Sequence, residues 1–197
     1  MSDLERLMKL VLENNGHITT KQVVENNINK MALKRLCDDK KLERVSTGYY
    51  CLPGTFIDEY YKVLSKCKSA VFSFTTALYL HDLTDRTPIY FDITVQRGYG
   101  GNLQNIDNIY LHYVDKEILN LGMIEIKSPF GMNIKCYDVE RTICDLIKDK
   151  NNMDKEIYSK ALKEYAKRKD KDLLKLAKYA KKLNIEKELV DVMEVLL

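Results

Sequence analysis

Seven polar side chains near the amino end have the types and spacing to meet a polyanion: Asn29, Lys30, Lys34, Arg35, Arg44, Ser46 and Thr47. Lys and Arg can donate to guanine O6 and N7, and Asn can pair bidentately with adenine. Arg44, Ser46 and Thr47 fall in a short β-prone run and its turn, where they suit phosphates or the minor groove. Leu33 and Leu36 are three apart and share one helix face, so Lys34 and Arg35 point away from it to water.

Positioning these groups takes two helices before the third and a hairpin after it. Leu4, Leu7, Met8 and Val11 recur at i, i+3, i+4, i+7 and mark a first amphipathic helix ending near Asn14-Asn15-Gly16. Thr19 or Thr20 can cap a second helix over Lys21–Asn26, with Val23 and Val24 on its apolar side. Ile28 is expected to plug the core before a third helix over about Asn29–Lys40. Leu42-Glu43-Arg44-Val45 and Tyr49-Tyr50-Cys51-Leu52 then read as two strands joined by Ser46-Thr47-Gly48, and Pro53 stops the second. Three helices and a hairpin in this order match a winged helix-turn-helix, whose third helix enters the DNA major groove.

Beyond Pro53-Gly54 the pattern changes. Ile57, Tyr60, Tyr61 and Leu64 give an apolar stripe to a helix over Phe56–Lys66, and Ser73–Leu83 reads as a buried helix. Ile89–Val95 and Ile109–Val114 read as strands. Met123–Lys127 and Met132–Tyr137 form a hairpin around Ser128-Pro129-Phe130-Gly131. Asp138 can cap a helix over Val139–Ile147, on which Arg141 and Asp145 stand i, i+4 as a structural ion pair. The remainder is helical, with apolar seams Ile157/Ala161/Tyr165 and Leu173/Ala177/Ala180. The last helix places Ile185, Leu189, Met193 and Leu196 on one side, to dock on its own domain. The expected architecture is α+β: a winged helix-turn-helix domain over residues 1–53, then a mixed α/β domain over residues 54–197. The second domain carries a small antiparallel sheet at about 89–137 and helices at 138–197.

Charge is segregated along the 197 residues although the net formal charge is only +3. Residues 148–187 hold fourteen basic against seven acidic side chains, while residues 56–147 hold nine against twelve. Lys160, Lys163 and Lys167 lie opposite one seam, and Lys171, Lys175, Lys178 and Lys182 run at i, i+4, i+7, i+11. These stripes fit either sequence-blind phosphate contacts or a solvated outer face. Five cysteines without a C-x-x-C pair argue against a disulfide framework and a zinc ribbon. His81 beside Asp82 and Asp85 lacks the multi-histidine spacing of a metal site, so a structural role is expected. Gly98-Tyr99-Gly100-Gly101-Asn102 is followed by a poor helix former and reads as a hairpin or crossover loop rather than a phosphate cradle. With no long apolar run and no basic-then-apolar start at Met1-Ser2-Asp3-Leu4-Glu5, a cytoplasmic protein without metal or cofactor is expected.

Three pieces resemble the AbiEi-type antitoxins of bacterial abortive-infection (type IV toxin–antitoxin) systems. They are Lys40-Lys41-Leu42-Glu43-Arg44-Val45 with Gly48-Tyr49-Tyr50-Cys51-Leu52-Pro53, Ser73–Leu83 with Thr84-Asp85-Arg86-Thr87-Pro88, and Tyr137–Ile147. Family members often carry Gly before the wing, where this chain has Lys40-Lys41. The resemblance implies a non-enzymatic autorepressor that binds inverted repeats of double-stranded DNA in its own promoter, as a monomer or weak dimer acting cooperatively. It also implies an antitoxin domain opposing a co-encoded nucleotidyltransferase-like toxin without a stable complex.

Two rival readings stay open. A winged helix can serve as a protein-interaction module with no DNA target. In the other, Asp92 with Glu140 and Asp145 are the candidate metal-binding carboxylates of a nucleic-acid enzyme, although the Gly-Ser turn and Asp-x-Asp strand of a nucleotidyltransferase are missing.

Overall fold

The computed structural model describes residues 1–101, 103 and 106–196, so Asn102, Gln104 and Asn105 of the glycine-rich loop lie outside the described residues, as does the Leu196 side chain. The architecture is α+β, with one small antiparallel sheet and one mixed sheet. The chain divides into two compact units, residues 1–68 with 127–134, and residues 69–126 with 135–197. The first unit thus runs past the expected boundary at Pro53 and includes the loop of a later hairpin.

In the first unit, α1 (Asp3–Glu13) opens with a capping box in which Ser2 and Glu5 satisfy each other's backbone N–H groups. β1 (His17–Thr19) follows, and Thr19 with Gln22 builds a second capping box at the start of α2 (Thr20–Glu25). α3 (Met31–Asp38) is shorter than expected, so Asn29 and Lys30 precede it. β2 (Glu43–Ser46) and β3 (Tyr49–Cys51) turn at Gly48, whose φ of +75° suits glycine. The sheet order is β1-β3-β2, antiparallel throughout. Leu7, Val11, Ile18, Val23, Ile28, Leu33, Leu36 and Leu42 form one buried cluster.

α4 (Glu59–Lys66) completes this unit and starts later than the expected Phe56. Its cap, Asp58, is fully buried. Asp58 Oδ1 accepts from Tyr61 N at 3.0 Å and Oδ2 from Ser128 Oγ at 2.5 Å. Tyr49 Oη accepts from Asp58 N at 3.2 Å and pairs with His17 Nδ1 at 2.9 Å. Burial pushes the Asp58 carboxyl above the usual carboxylate range, against its hydrogen bonds. Ser128 lies in the stretch 127–134, which belongs to the first unit.

The second unit carries a five-stranded sheet of β4 (Val71–Phe72), β5 (Phe91–Gln96), β6 (Ile109–Val114), β7 (Met123–Lys127) and β8 (Asn133–Tyr137), in the order β6-β5-β4-β8-β7. The sheet is mixed, not antiparallel as expected: β4 pairs β5 antiparallel, whereas β5–β6 and β4–β8 are parallel. Parallel pairing makes the glycine-rich connection between β5 and β6 a crossover. Helices α5 (Phe74–Leu80), α6 (Lys116–Leu119), α7 (Val139–Lys148), α8 (Lys155–Lys167), α9 (Leu173–Leu183) and α10 (Glu186–Leu196) complete the unit. Leu78, Ile143, Leu146, Ala161, Tyr165, Leu176, Leu183 and Leu189 join in its main core.

The buried face of α9 is Leu176, Ala180 and Leu183, which corrects the expected seam Leu173/Ala177/Ala180. Lys175, half-buried, pairs with Glu140 Oε2 at 2.5 Å and with Asp138 Oδ2 at 3.5 Å. Among the described residues no helix is long and apolar enough to cross a membrane.

His81 has the structural place expected of it, its Nε2 lying 2.6 Å from the Tyr137 carbonyl oxygen. Burial lowers its pKa, and Arg168 adds to this against the carbonyl bond, Asp138 and Asp82. The same cause lowers His17. An unfolded histidine protonates below about pH 6.5, before its folded counterpart, so this stability is present at neutral pH and is lost on acidification. Asp58 and Asp145, both raised by burial, act with the opposite sign. The wild type is therefore expected to lose more stability between pH 7.5 and 5.5 than His81→Gln does, read from urea midpoints at the two pH values.

Candidate nucleic-acid interface

α3 turns Leu33 and Leu36 into the core and leaves Lys34 and Arg35 exposed one turn past its start. Met31, 64% exposed, shares their face at i, i+3, i+4. An exposed thioether between cations suits apolar contact with a thymine methyl. Only the helical spacing from Lys34 and Arg35 marks it in the sequence.

The other expected contacts fare differently. Lys30 is exposed ahead of the helix, in the N-cap position. Asn29 is exposed, but its Oδ1 accepts from Met31 N at 2.9 Å and its backbone N–H donates to Asp3 Oδ2 at 3.0 Å. Its carbonyl oxygen is therefore occupied in starting the helix, which leaves the amide NH2 for a base. Arg44 on β2 and Thr47 in the turn are exposed. Ser46 is half-buried, with its Oγ 2.6 Å from Ser65 Oγ of α4. That hydroxyl braces the hairpin against α4. Lys40 and Lys41 are exposed between α3 and β2, as are Asp38, Asp39 and Glu43 around them.

The late lysines do not form one free stripe. Lys160 pairs with Asp85 at 2.6 Å and Lys167 with Glu164 at 2.7 Å. Lys171 Nζ donates to the Ala166 and Arg168 carbonyls at 2.9 Å each, and Lys175 is bound to Glu140. Lys163, Lys178 and Lys182 stand exposed.

Asp92, Glu140 and Asp145 are each held by a different partner. Asp92 Oδ1 faces His112 Nε2 at 2.8 Å, and its Oδ2 accepts from Thr75 N at 3.2 Å and from the Thr75 hydroxyl. Glu140 binds Lys175, and Asp145 Oδ1 takes Arg141 Nε at 2.9 Å. Among the described residues no group of three or more His, Cys, Asp or Glu side chains could hold a metal ion. The five cysteines are free thiols, and burial pushes Cys144 up to about 12, which keeps it protonated and unreactive.

No protein-family model matches the chain, and no curated protein matches it. Among solved structures it is similar to the crystal structure of the RV2827C protein from Mycobacterium tuberculosis. The TM-score is 0.54 at 11% identity, covering 88% of this chain and 69% of that one, a likeness of fold alone.

Proposed function

We propose that the first unit is a winged helix-turn-helix that binds double-stranded DNA, with α3 as the recognition helix and the β2–β3 turn as the wing. The observation that supports this most is the exposed face of α3, where Met31, Lys34 and Arg35 stand opposite the buried Leu33 and Leu36. Arg44 and Thr47 follow on the exposed hairpin, in the order that a groove and its flanking phosphates require. Taken with the resemblance to AbiEi-type antitoxins, the protein acts as a cytoplasmic autorepressor of a toxin–antitoxin operon. In that reading its second unit opposes a nucleotidyltransferase-like toxin without enzymatic activity of its own.

The test is a gel shift on the protein's own promoter at fixed salt. Arg35→Ala is expected to weaken binding by roughly 1–3 kcal/mol, the worth of one good base contact. Unchanged affinity in both Arg35→Ala and Lys34→Ala removes α3 from the interface. Failure of the wild type to bind any duplex while capturing the toxin favours the protein-interaction module instead. Lys163→Ala/Lys178→Ala/Lys182→Ala asks whether the late lysines touch DNA. A shallower dependence of log affinity on log salt places them on phosphates, because each released contact removes about 0.9 from the slope.

A further inference from the structure

The five-stranded sheet ends on β6, which pairs with β5 alone among the described strands. Phe91 N donates to the Asn108 carbonyl, and Arg97 N to the Val114 carbonyl. Main-chain groups alternate in direction along a strand. Tyr110, His112 and Val114 therefore turn theirs toward β5, while Ile109, Leu111 and Tyr113 turn theirs outward. Among the described residues the N–H and C=O groups of those three have no hydrogen-bond partner. A row of such groups is a template for another strand.

Edge strands are commonly guarded by charge, proline or a bulge. The opposite edge, β7, follows that rule, with Glu125 and Lys127 exposed. β6 does not. Ile109-Tyr110-Leu111-His112-Tyr113-Val114 holds no proline and no acidic, lysine or arginine side chain, in a chain that is 31% charged. Its pairing with β5 runs without a bulge. Tyr110 is 62% exposed and Tyr113 44% exposed, one on each face of the sheet.

The strand is complementary to itself. A twofold axis normal to the sheet sets two copies antiparallel, and a register centred on Leu111 puts Leu111 opposite Leu111, Ile109 opposite Tyr113 and Tyr110 opposite His112. Every outward N–H and C=O then meets its counterpart. The neighbouring registers are worse: centring on His112 opposes Ile109 to Asp115, and centring on Tyr110 opposes Tyr113 to Asp107. In the register centred on Leu111 both carboxylates lie outside the paired run. Asn108, with φ +65°, turns the chain after Asp107, and Asp115 is held by Arg97 at 3.2 Å. The surface that meets Tyr110 is already ordered. His112 is fixed by Asp92 at 2.8 Å and stacked on Phe74, with ring centroids 3.8 Å apart, so little side-chain freedom is lost there on association. We propose that β6 pairs antiparallel with β6 of a second copy of this chain, joining two five-stranded sheets into one across a twofold axis at Leu111.

Sedimentation equilibrium of the full chain without DNA tests this, independently of any role for α3. The apparent mass is expected to rise with concentration toward twice that of one chain. Tyr110→Lys/Tyr113→Lys, with folding checked by circular dichroism, is expected to weaken self-association at least about tenfold, because four cross-strand pairs are lost in each dimer. Ile124→Lys on the β7 edge is expected to leave it unchanged. Hydrogen exchange of the wild type gives a reading that needs no variant: the Ile109, Leu111 and Tyr113 amides are expected to slow as concentration rises. A monomer throughout the concentration series overturns the proposal. So does a dimer that the double variant leaves as tight as the wild type, that Ile124→Lys weakens equally, or in which those three amides gain no protection.

Discussion

Arg141→Ala is expected to destabilise the second unit by about 3–5 kcal/mol, the cost of leaving one member of a buried ion pair alone. Arg141 is 1% exposed, bonded to Asp145 Oδ1 and to two main-chain carbonyls, with its guanidinium 4.2 Å above the Tyr137 ring centroid. Truncation strands a carboxylate whose pKa burial already raises against the opposing pull of Arg141, and it orphans the Ile118 and Leu121 carbonyls. It also removes the guanidinium that packs over the Tyr137 ring. Urea unfolding followed by circular dichroism checks this. The apolar double replacement Arg141→Met/Asp145→Leu is expected to recover a large part of the loss, since it removes both charges together. If Arg141→Ala unfolds at the wild-type midpoint, the pair does not hold the unit together.

Asp58→Ala is expected to cost the first unit about 2–4 kcal/mol, combining a lost helix cap with a buried hydroxyl left without its acceptor. The cap is the bond from Tyr61 N, and the hydroxyl is Ser128 Oγ. Ser128 continues to accept from Phe130 N and Met132 N, so its loop keeps part of its order. Asp58→Asn retains an acceptor for the cap and is expected to lose less than half as much. A loss of equal size in both variants assigns the stability to the negative charge rather than to the hydrogen bonds. Ser128→Ala should resemble Asp58→Asn in size, measured in the same urea titrations.

Much of the first unit is legible in the residues because its signals are local. Leu33 and Leu36 phase α3, a threonine cap starts α2, with Thr19 rather than Thr20 in that place, and Gly48 turns the hairpin. The strand His17–Thr19 escapes such reading because three residues carry no period, and its pairing with Tyr49–Cys51 is made across thirty residues of chain. Val71–Phe72 is shorter still, and without it neither the parallel partner β8 nor the mixed sheet can be inferred. In α9 the sequence Leu173-Leu174-Lys175-Leu176 offers two apolar phases. The choice falls to the core they pack into, where Leu176, Ala180 and Leu183 are buried.

The candidate interface divides in the same way. That Lys34 and Arg35 face water follows from their neighbours, whereas Ser46 bonding Ser65 and Asn29 holding Met31 N depend on where other backbone happens to lie. The Arg141–Asp145 pair is visible as an i, i+4 spacing. That Asp145 Oδ2 is buried there without a hydrogen-bond partner among the described residues is not visible, because a missing partner leaves no mark in a sequence.

The first unit is assembled from two separated stretches, with Ser128 arriving long after Asp58. On a ribosome adding about 5–20 residues each second, the amino-terminal helices emerge several seconds before the serine that closes over the aspartate. During that interval an early-made globule waits with one of its seams open. Residues 1–68 expressed alone lack Ser128 and are expected to keep that seam open, which makes a truncated fragment a poor substitute for the intact polypeptide.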